Sequence, residues 1–253
     1  MNPESLGFKD HFSQRAADYA KFRPQYPRAL FEFVAAKAPD QDLAVDCATG
    51  NGQAALGLSE FFRQVVALDA SAQQIESAQP DDRVQYRVAT AESTGLPDNS
   101  CDAVTVAQAL HWFDLDSFYA EAKRILKRGG VLAVWAYNYL RVSPDIDAVL
   151  RRFHDEIVGP FWPPERKLVG HGYRDLPFPF EEIAVPELWI ETRWTVAHLL
   201  GYLRTWSAAQ RYQAEKGRDP LALIENELVA LWGNSESERP GIWPLVVRLG
   251  RAS

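Results

Sequence analysis

Short apolar runs alternate with helical patterns between residues 43 and 136 of this 253-residue chain. The five strands predicted there lie at 43–45, 65–68, 84–88, 103–107 and 131–135. Most of them are rich in valine, alanine and leucine along their whole length, which is typical of strands buried on both faces of a parallel sheet. The alternation therefore predicts a doubly wound, Rossmann-like α/β fold, whose ligands bind at the carboxyl ends of the strands.

A glycine-bearing loop follows the first predicted strand, in the stretch VDCATGNGQAAL. Gly50-x-Gly52-x-x-Ala55 matches the relaxed dinucleotide-binding pattern. Asp69 follows Gly52 by 17 residues, where an acid would bind a ribose hydroxyl. The pattern alone is weak, and it is compatible with NAD.

Asp46, at the end of the same strand, argues against a phosphate-bearing cofactor. Together with Asp69 it would place two carboxylates near the ligand, and two like charges about 4 Å apart cost roughly 4 kcal/mol at an effective dielectric of 20. No lysine or arginine lies between Asp46 and Glu60 to offset this charge. The loop therefore favours a cofactor with ammonium and sulfonium groups, such as S-adenosylmethionine (SAM), with Asp46 facing its positive methionine end.

The order of motifs resembles the class I SAM-dependent methyltransferases, and within them the type 11 group. Asp46-x-Ala48-x-Gly50-x-Gly52 resembles their first motif, with Ala48 where that family usually has glycine. The later matching positions are Asp69, Ala91-Glu92, 108–113 and 127–130. The stretch Tyr19-x-x-x-Arg23-Pro24-x-Tyr26-Pro27 and the tryptophan-rich end look like the small-molecule branch that includes trans-aconitate methyltransferases.

The resemblance implies a mostly parallel seven-stranded sheet with an antiparallel C-terminal strand, an N-terminal lid and a helical cap. We assign residues 1–35 to the helical lid and 36–137 to the SAM-binding core. Residues 138–240 would form the cap and substrate region, including a sixth strand, and 241–253 the strand that completes the core sheet. The cap stands apart in composition, since six of the sixteen prolines lie between residues 160 and 186 and six of the eight tryptophans lie beyond residue 140.

The cofactor residues that the resemblance implies are Asp46, Ala48, Gly50, Gly52, Asp69, Ala70, Gln74, Ala91, Glu92 and Gln108. Asp69 would bind both ribose hydroxyls, because one carboxylate can accept two hydrogen bonds. Gln74 would lie against the adenine, and it also matches a capping box that starts at Ser71. The Ala91 amide or Glu92 would recognise the adenine edge, with a surface helix cap as the alternative for Glu92. Gln108 would meet the methionine portion or line the active site.

Residues beside the methyl acceptor are expected after the fourth strand and near the N-terminus. His111, Tyr19 and Arg23 are the catalytic candidates, and Tyr26, Trp112, Tyr137 and Arg141 the substrate-binding candidates. His111 would act as an orienting donor or as a general base, unless it and Trp112 simply begin the next helix. Arg23 and Arg141 carry guanidinium groups that fit a carboxylate, although both also suit a solvated surface.

Charge and composition exclude several other classes of protein. The net charge of −7 disfavours a nucleic acid partner, and the nearest basic cluster, 123–128, suits the end of a helix that stops at Gly129-Gly130. We find no secretory signal and no apolar stretch of membrane-spanning length, so we expect a cytoplasmic protein without membrane contact. Two cysteines are too few for a disulfide framework, and the histidines show no metal-ligand spacing.

The function predicted from the sequence is an in-line transfer of a methyl group from SAM to a small molecule, with S-adenosylhomocysteine as product and no metal. An oxygen of a trans-aconitate-like carboxylic acid is the first hypothesis for the acceptor, and the protein is expected to be a monomer or homodimer. Two alternatives remain open, an NAD-dependent oxidoreductase and a non-catalytic partner protein with a SAM-binding fold.

Overall fold

The computed structural model describes residues 22–137 and 139–252. The strands are β1 (Leu43–Cys47), β2 (Gln64–Asp69), β3 (Val84–Val88), β4 (Cys101–Ala107), β5 (Leu126–Tyr137), β6 (Glu181–Ile183), β7 (Trp189–Trp194) and β8 (Arg239–Arg251). The α-helices are α1 (Arg28–Lys37), α2 (Gln53–Ser59), α3 (Ala72–Glu76), α4 (Leu115–Ile125), α5 (Pro144–Arg152), α6 (Arg166–Gly170), α7 (Val196–Arg204), α8 (Ser207–Lys216) and α9 (Glu225–Trp232).

The strands form a sheet with the order β3-β2-β1-β4-β5-β8-β6, and β7 pairs with β8 outside this path. The pairs β1/β2, β1/β4, β2/β3 and β4/β5 are parallel. β8 runs antiparallel to both β5 and β6. The predicted doubly wound, mostly parallel sheet with an antiparallel C-terminal strand is confirmed, and the described residues contain eight strands where seven were predicted.

The described chain divides into two compact units. The sheet unit comprises residues 25–137, 165–189 and 244–252, and the helical unit comprises residues 22–24, 139–164 and 190–243. Residues 165–189, which include part of the proline-rich stretch between residues 160 and 186, belong to the sheet unit.

Two hydrophobic clusters cover the two faces of the sheet unit. Successive residues of β5 alternate between them, since Leu132 and Val134 belong to one cluster and Ala133 and Trp135 to the other. This is the side-chain period of a strand, and it explains why the central strands have continuous apolar sequences. Trp135 is fully buried, and its ring packs edge-on against Phe31 of α1.

The sequence-based prediction of a helix end at Gly129-Gly130 is wrong. α4 ends earlier, and both glycines lie inside β5, which begins at Leu126 by pairing with Cys101 of β4. The register of this pairing shifts further along the two strands. Gly129 has a left-handed φ of +78°, and a Cβ on Gly130 would lie 2.9 Å from the carbonyl oxygen of Lys127. The glycines therefore permit an irregularity within a strand, which a local pattern of basic residues and glycines does not distinguish from a helix end.

Among residues 22–137 and 139–252, every helix is too short or too polar to cross a lipid bilayer.

Candidate active site

The carboxyl ends of β1, β2, β3 and β4 lie at one edge of the sheet, because these strands are parallel. The strand order reverses at β1, which lies between β2 and β4. Ligands of open α/β sheets bind at such a reversal. The loop after β1 and the segments that follow β2 and β4 are therefore the candidate site.

The loop after β1 turns through left-handed backbone conformations. The φ angles are +54° at Ala48, +58° at Gly50 and +88° at Gly52. The amide of Thr49 donates to the carbonyl oxygen of Leu68 over 2.8 Å, which ties the loop to β2. Glycine adopts these angles freely, whereas an L-residue such as Ala48 loses roughly 1–2 kcal/mol. Ala48 is thus a strained residue at the position where the resemblance implies glycine.

The two glycines of the loop are required for different reasons. A Cβ on Gly52 would lie 2.9 Å from the ring carbons Cε1 and Cζ of Tyr86, so a side chain there would displace the tyrosine. Gly50 has more room, and a Cβ on it would come no closer than 4.0 Å to Oε1 of Gln74. Gly52 therefore serves close packing, while Gly50 leaves an uncrowded backbone facing Gln74.

The carboxylate of Asp46 is completely buried beneath this loop. It accepts hydrogen bonds from the hydroxyls of Thr49, over 2.6 Å, and Thr105, over 2.7 Å. Burial raises the pKa of Asp46 to about 6, with a smaller contribution from the charge of Asp69, and the two hydroxyls oppose this rise. Asp46 is therefore a buried carboxyl close to the loop whose ionisation changes near pH 6. Its role toward the methionine end of a cofactor stays a prediction.

Asp69 ends β2 beside the same loop. One carboxylate oxygen accepts from the amide of Gly50 over 2.9 Å, and the other accepts from the amide of Ser71 over 2.8 Å. Each oxygen retains a second lone pair, and the side chain is half-buried. The carboxylate is therefore oriented by two backbone amides and can still accept hydrogen bonds from a diol.

The segment after β2 contains two further predicted cofactor residues, Ala70 and Gln74, both of which are exposed. Half of the predicted capping box of α3 is confirmed, since the hydroxyl of Ser71 accepts from the amide of Gln74, whereas the amide of Ser71 donates to Asp69 rather than to the side chain of Gln74. After β3, Ala91 is buried and Glu92 accepts from the amide of Asp114 over 3.2 Å. Asp114 precedes α4, so this contact agrees with the helix-cap interpretation of Glu92, and its role at an adenine stays a prediction.

Gln108 follows β4 and has a left-handed φ of +60°. The backbone amide of Gln108 donates to the carbonyl oxygen of Trp135 over 2.9 Å. The side-chain amide of Gln108 donates to the backbone carbonyl oxygen of Tyr137 over 3.2 Å. Both contacts tie the tip of β4 to β5. The ring of Tyr26 lies 5.6 Å from that of Trp135 and 6.2 Å from that of Tyr137, both in β5. Tyr26, a predicted substrate residue, therefore packs on the sheet beside Tyr137, another one.

His111 lies in the short 3-10 helix Leu110–Trp112 that follows β4. Its Nδ1 is 3.0 Å from the hydroxyl of Tyr173, and the two rings are nearly parallel. Burial lowers the pKa of His111 to about 4, assisted by the positive charge of Arg166 and opposed by Glu165. The imidazole is therefore neutral at physiological pH. Trp112, beside it, is 59 % exposed.

Tyr173 is the residue of this site that sequence analysis missed. It lies 62 residues from His111 in the connection after α6, and no local motif distinguishes it from the other aromatic residues there. Only its contact with His111 identifies it.

The remaining predicted residues lie in the helical unit or outside the described residues. Tyr19 lies outside them. The Arg23 guanidinium donates to the carbonyl oxygen of Thr205 and lies 5.5 Å from the ring centre of Tyr202. Arg141 lines a cavity of about 160 Å³, with Tyr139, Leu140, Asp147, Leu150, Arg151, Leu203 and Trp206.

This cavity is lined by two exposed arginines, one aspartate and several apolar side chains. Within residues 22–137 and 139–252, neither Arg141 nor Arg151 forms an ion pair, whereas Asp147 accepts from the amide of Val142 over 2.7 Å. A cavity of about 150 Å³ is large enough for benzene. The arrangement suits a small organic anion.

The chemistry available at the sheet edge is that of carboxylates, amides and one neutral imidazole. Within the described part of the chain, no group of three or more histidine, cysteine or acidic residues could hold a metal ion. The half-buried, amide-oriented carboxylate of Asp69 and the loop of Gly50 and Gly52 fit a nucleoside whose ribose hydroxyls donate to an acid. The acidic character of Asp46 and Asp69 fits a cofactor that carries positive charge.

Comparison with known proteins places the chain among methyltransferases. A family model described as a methyltransferase domain matches residues 45–134, which span β1 to most of β5. A protein of Dictyostelium discoideum that is assigned as a methyltransferase is 31% identical over 240 residues, covering 93% of this chain and 91% of that protein. A Saccharomyces cerevisiae protein assigned as a SAM-dependent methyltransferase is 27% identical over 131 residues, which is 48% of this chain and 45% of its own length.

A solved structure agrees with these sequence matches. The structure of a protein from Anaeromyxobacter dehalogenans, which is assigned as a type II methyltransferase, superimposes on this chain with a TM-score of 0.87, and the two sequences are 48% identical. The alignment covers 91% of this chain and 98% of that one.

Proposed function

We propose that this chain, which belongs to the class I SAM-dependent methyltransferases, transfers a methyl group to an oxygen of a small carboxylic acid. When bound, SAM supplies an electrophilic methyl group on a positively charged sulfur. The chain's own residues bind the two reactants, orient them in line and exclude water, and such positioning can supply about 7–11 kcal/mol of the barrier. The choice of acceptor rests on the state of His111.

Two features of His111 support the acceptor proposal: its Nδ1 is already hydrogen-bonded to the hydroxyl of Tyr173, and its pKa is lowered. A general base works best when its pKa lies near the operating pH, and the pKa of His111 is lowered to about 4. An alcohol or phenol must lose a proton during methylation, and His111 is poorly suited to take it. A carboxylate is already ionised at neutral pH and needs no base. The side chain that follows β4 therefore favours an acceptor that brings its own negative charge.

The cofactor half of the proposal rests on Asp69. Its oxygens, oriented by the amides of Gly50 and Ser71, would accept the ribose hydroxyls. Gln74, Ala70, Ala91 and Glu92 would surround the adenine, and Asp46, Ala48, Gly52 and Gln108 would lie toward the methionine portion.

Within the helical unit, Arg141 and Arg151 are the candidate cationic groups for binding a carboxylate acceptor. Their guanidinium groups can each form two hydrogen bonds to a carboxylate. A trans-aconitate-like acid is the first acceptor to test. Tyr19, Arg23, Tyr26, Trp112 and Tyr137 remain proposed acceptor-side residues.

Calorimetric titration followed by a turnover assay tests the proposal. We expect SAM and S-adenosylhomocysteine to bind and NAD to give no signal. The protein is then incubated with methyl-labelled SAM and matched sets of carboxylic acids, phenols and amines, and the products are identified by mass spectrometry. Methyl esters from the acids alone support the proposal. Phenol ethers or methylamines as the main products would overturn the acceptor class, and SAM binding without turnover of any set would favour a non-catalytic protein.

A further inference from the structure

Tyr173 and His111 form a hydrogen-bonded pair at the carboxyl end of β4, over 3.0 Å. We infer that Tyr173 is a positioning residue: its hydroxyl donates to Nδ1 of His111, fixes the imidazole as the Nε2–H tautomer and directs that N–H toward the methyl acceptor. The direction of the N–H toward the methyl acceptor rests on the proposed function, whereas the assignment of the tautomer does not.

The backbone at Tyr173 is strained. It has a φ of +59° and is 1 % exposed, and a bulky residue in the left-handed region is uncommon. Gly172, with a φ of +63°, precedes it at the end of α6. The amide of Tyr173 donates to the carbonyl oxygen of Leu168, and that of Gly172 to Val169, which is the pattern of a Schellman motif. The motif accounts for the left-handed glycine but not for a second left-handed residue after it.

Arg248 of β8 stabilises this unfavourable conformation. Its guanidinium donates to the carbonyl oxygens of Tyr173, over 2.9 Å, and Leu176, over 2.8 Å. It also lies 4.5 Å from the ring centre of Phe178 and pairs with Glu182. Strained residues persist where the surrounding structure determines them, and they cluster at functional sites. Here the strain places one hydroxyl against one imidazole nitrogen.

The direction of the hydrogen bond follows from the partners of the two groups. Burial raises the pKa of Tyr173, so its hydroxyl keeps its proton. A buried hydroxyl needs an acceptor, and among the described residues Nδ1 of His111 is the one that its O–H contacts. In a neutral imidazole the nitrogen that accepts leaves its proton on the other nitrogen. The donor is therefore Tyr173, and Nε2 of His111 carries the hydrogen.

Tyr173 and His111 therefore have different roles: Tyr173 selects the tautomer, and His111 donates the hydrogen bond. Nε2 of His111 has no hydrogen-bond partner within the part of the chain that the structure describes, and the side chain is half-exposed beside Trp112. Its N–H can donate to an acceptor oxygen. A free imidazole would interchange its two tautomers, and Tyr173 selects the one that donates.

Nitrogen-15 NMR of histidine-labelled protein tests the tautomer without any substrate. The chain contains five histidines, and His111→Gln assigns the resonances of His111. At pH 7.5 we expect the pattern of an unprotonated Nδ1 and a protonated Nε2 in the wild-type protein. Tyr173→Phe should shift His111 toward a tautomer mixture. The opposite tautomer in the wild type, or an unchanged pattern in Tyr173→Phe, would overturn the inference.

Tyr119→Phe is the matched control. Its hydroxyl is also attached to a buried ring, but it donates to the carbonyl oxygen of Pro177 over 2.7 Å rather than to a histidine. This variant should leave the His111 resonances in place. A shift equal to that of Tyr173→Phe would mean that the effect is one of general packing.

Steady-state kinetics provides a second measurement. Tyr173→Phe should lower kcat/KM for the acceptor by about 2- to 10-fold, the loss of one hydrogen bond, and leave the KM for SAM unchanged. In a His111→Gln background the same change should have no further effect, because the two residues act as a unit. Additive losses would contradict the positioning role. A correct tautomer with no methylated acid would overturn the proposed acceptor and leave the pair intact.

Discussion

The carboxylate of Asp69 accepts a hydrogen bond from the amide of Gly50 over 2.9 Å, across 19 residues of sequence. The contact joins the end of β2 to the glycine loop after β1, so the acid shapes the loop as well as presenting its oxygens. Removing this carboxylate should therefore affect both cofactor binding and the order of the loop.

Asp69→Ala should weaken SAM binding on the order of 100-fold or more, because it removes two charge-assisted hydrogen bonds worth roughly 1.5–3 kcal/mol each. Calorimetric titration gives the affinity, and circular dichroism checks the fold. Asp82→Ala removes an exposed acid of the same unit and serves as the control. Unchanged affinity in a folded Asp69→Ala protein would disprove the ribose assignment.

Ala48→Gly should stabilise the protein, which is unusual for a change to glycine. Relief of the left-handed strain at φ +54° gains roughly 1–2 kcal/mol, and the greater freedom of glycine in the unfolded chain offsets about 0.4–1 kcal/mol of it. Urea denaturation measures the difference. Ala72→Gly in α3, where the backbone is helical, should instead destabilise by about 0.5–1 kcal/mol. A loss of stability in both variants would mean that the loop tolerates the methyl group without strain.

The contribution of Asp46 to the stability of the protein should fall as the pH rises from 4 to 6. Its pKa is raised to about 6 from an ordinary value of 3.8, so the folded state retains a proton that the unfolded state has lost. The destabilisation is complete above pH 6 and amounts to about 3 kcal/mol. Asp46→Asn removes this contribution, so the difference in unfolding free energy between the two proteins should change over that range. Parallel curves from pH 4 to 7 would contradict the raised pKa.

The acceptor kcat/KM should be independent of pH between 6.5 and 8.5. His111 is already neutral there, since its pKa is lowered to about 4, and a carboxylate acceptor is fully ionised. Initial rates across this range, with the wild type and His111→Gln, provide the test. A titration near pH 7 that disappears in His111→Gln would show that the histidine works as a base.

Arg141→Gln and Arg151→Gln should each raise the KM for a carboxylic acid by about 10- to 150-fold, the effect of losing a charged hydrogen bond. The affinity for SAM should be unaffected. Arg218→Gln is the control, as an exposed arginine of the same unit that lies away from the cavity lining. An acceptor KM that is the same in all three variants would remove this cavity from the acceptor proposal.

Much of the sheet could be predicted because the sequence features that indicate its strands and loops are local. Continuous apolar runs, the glycines after β1 and the Ser71 cap each depend on residues within a few positions of one another, and these positions meet in any fold of that class. The predicted location of Asp69 at the end of β2 is confirmed for the same reason.

Sequence by itself therefore determined the fold class, the family and the loop on which a cofactor site is built. Tertiary structure alone decided that Gly129 and Gly130 lie inside β5, that the Asp46 carboxylate is held by two threonines, and that Tyr173 reaches His111. Apart from the nearby Thr49, the partners in these contacts are distant in sequence, namely Thr105 and Cys101 of β4 and Tyr173 after α6, and their proximity follows from packing the whole unit. Periodicity records which face of an element is buried, but it carries no information about which distant side chain supplies the hydrogen bond.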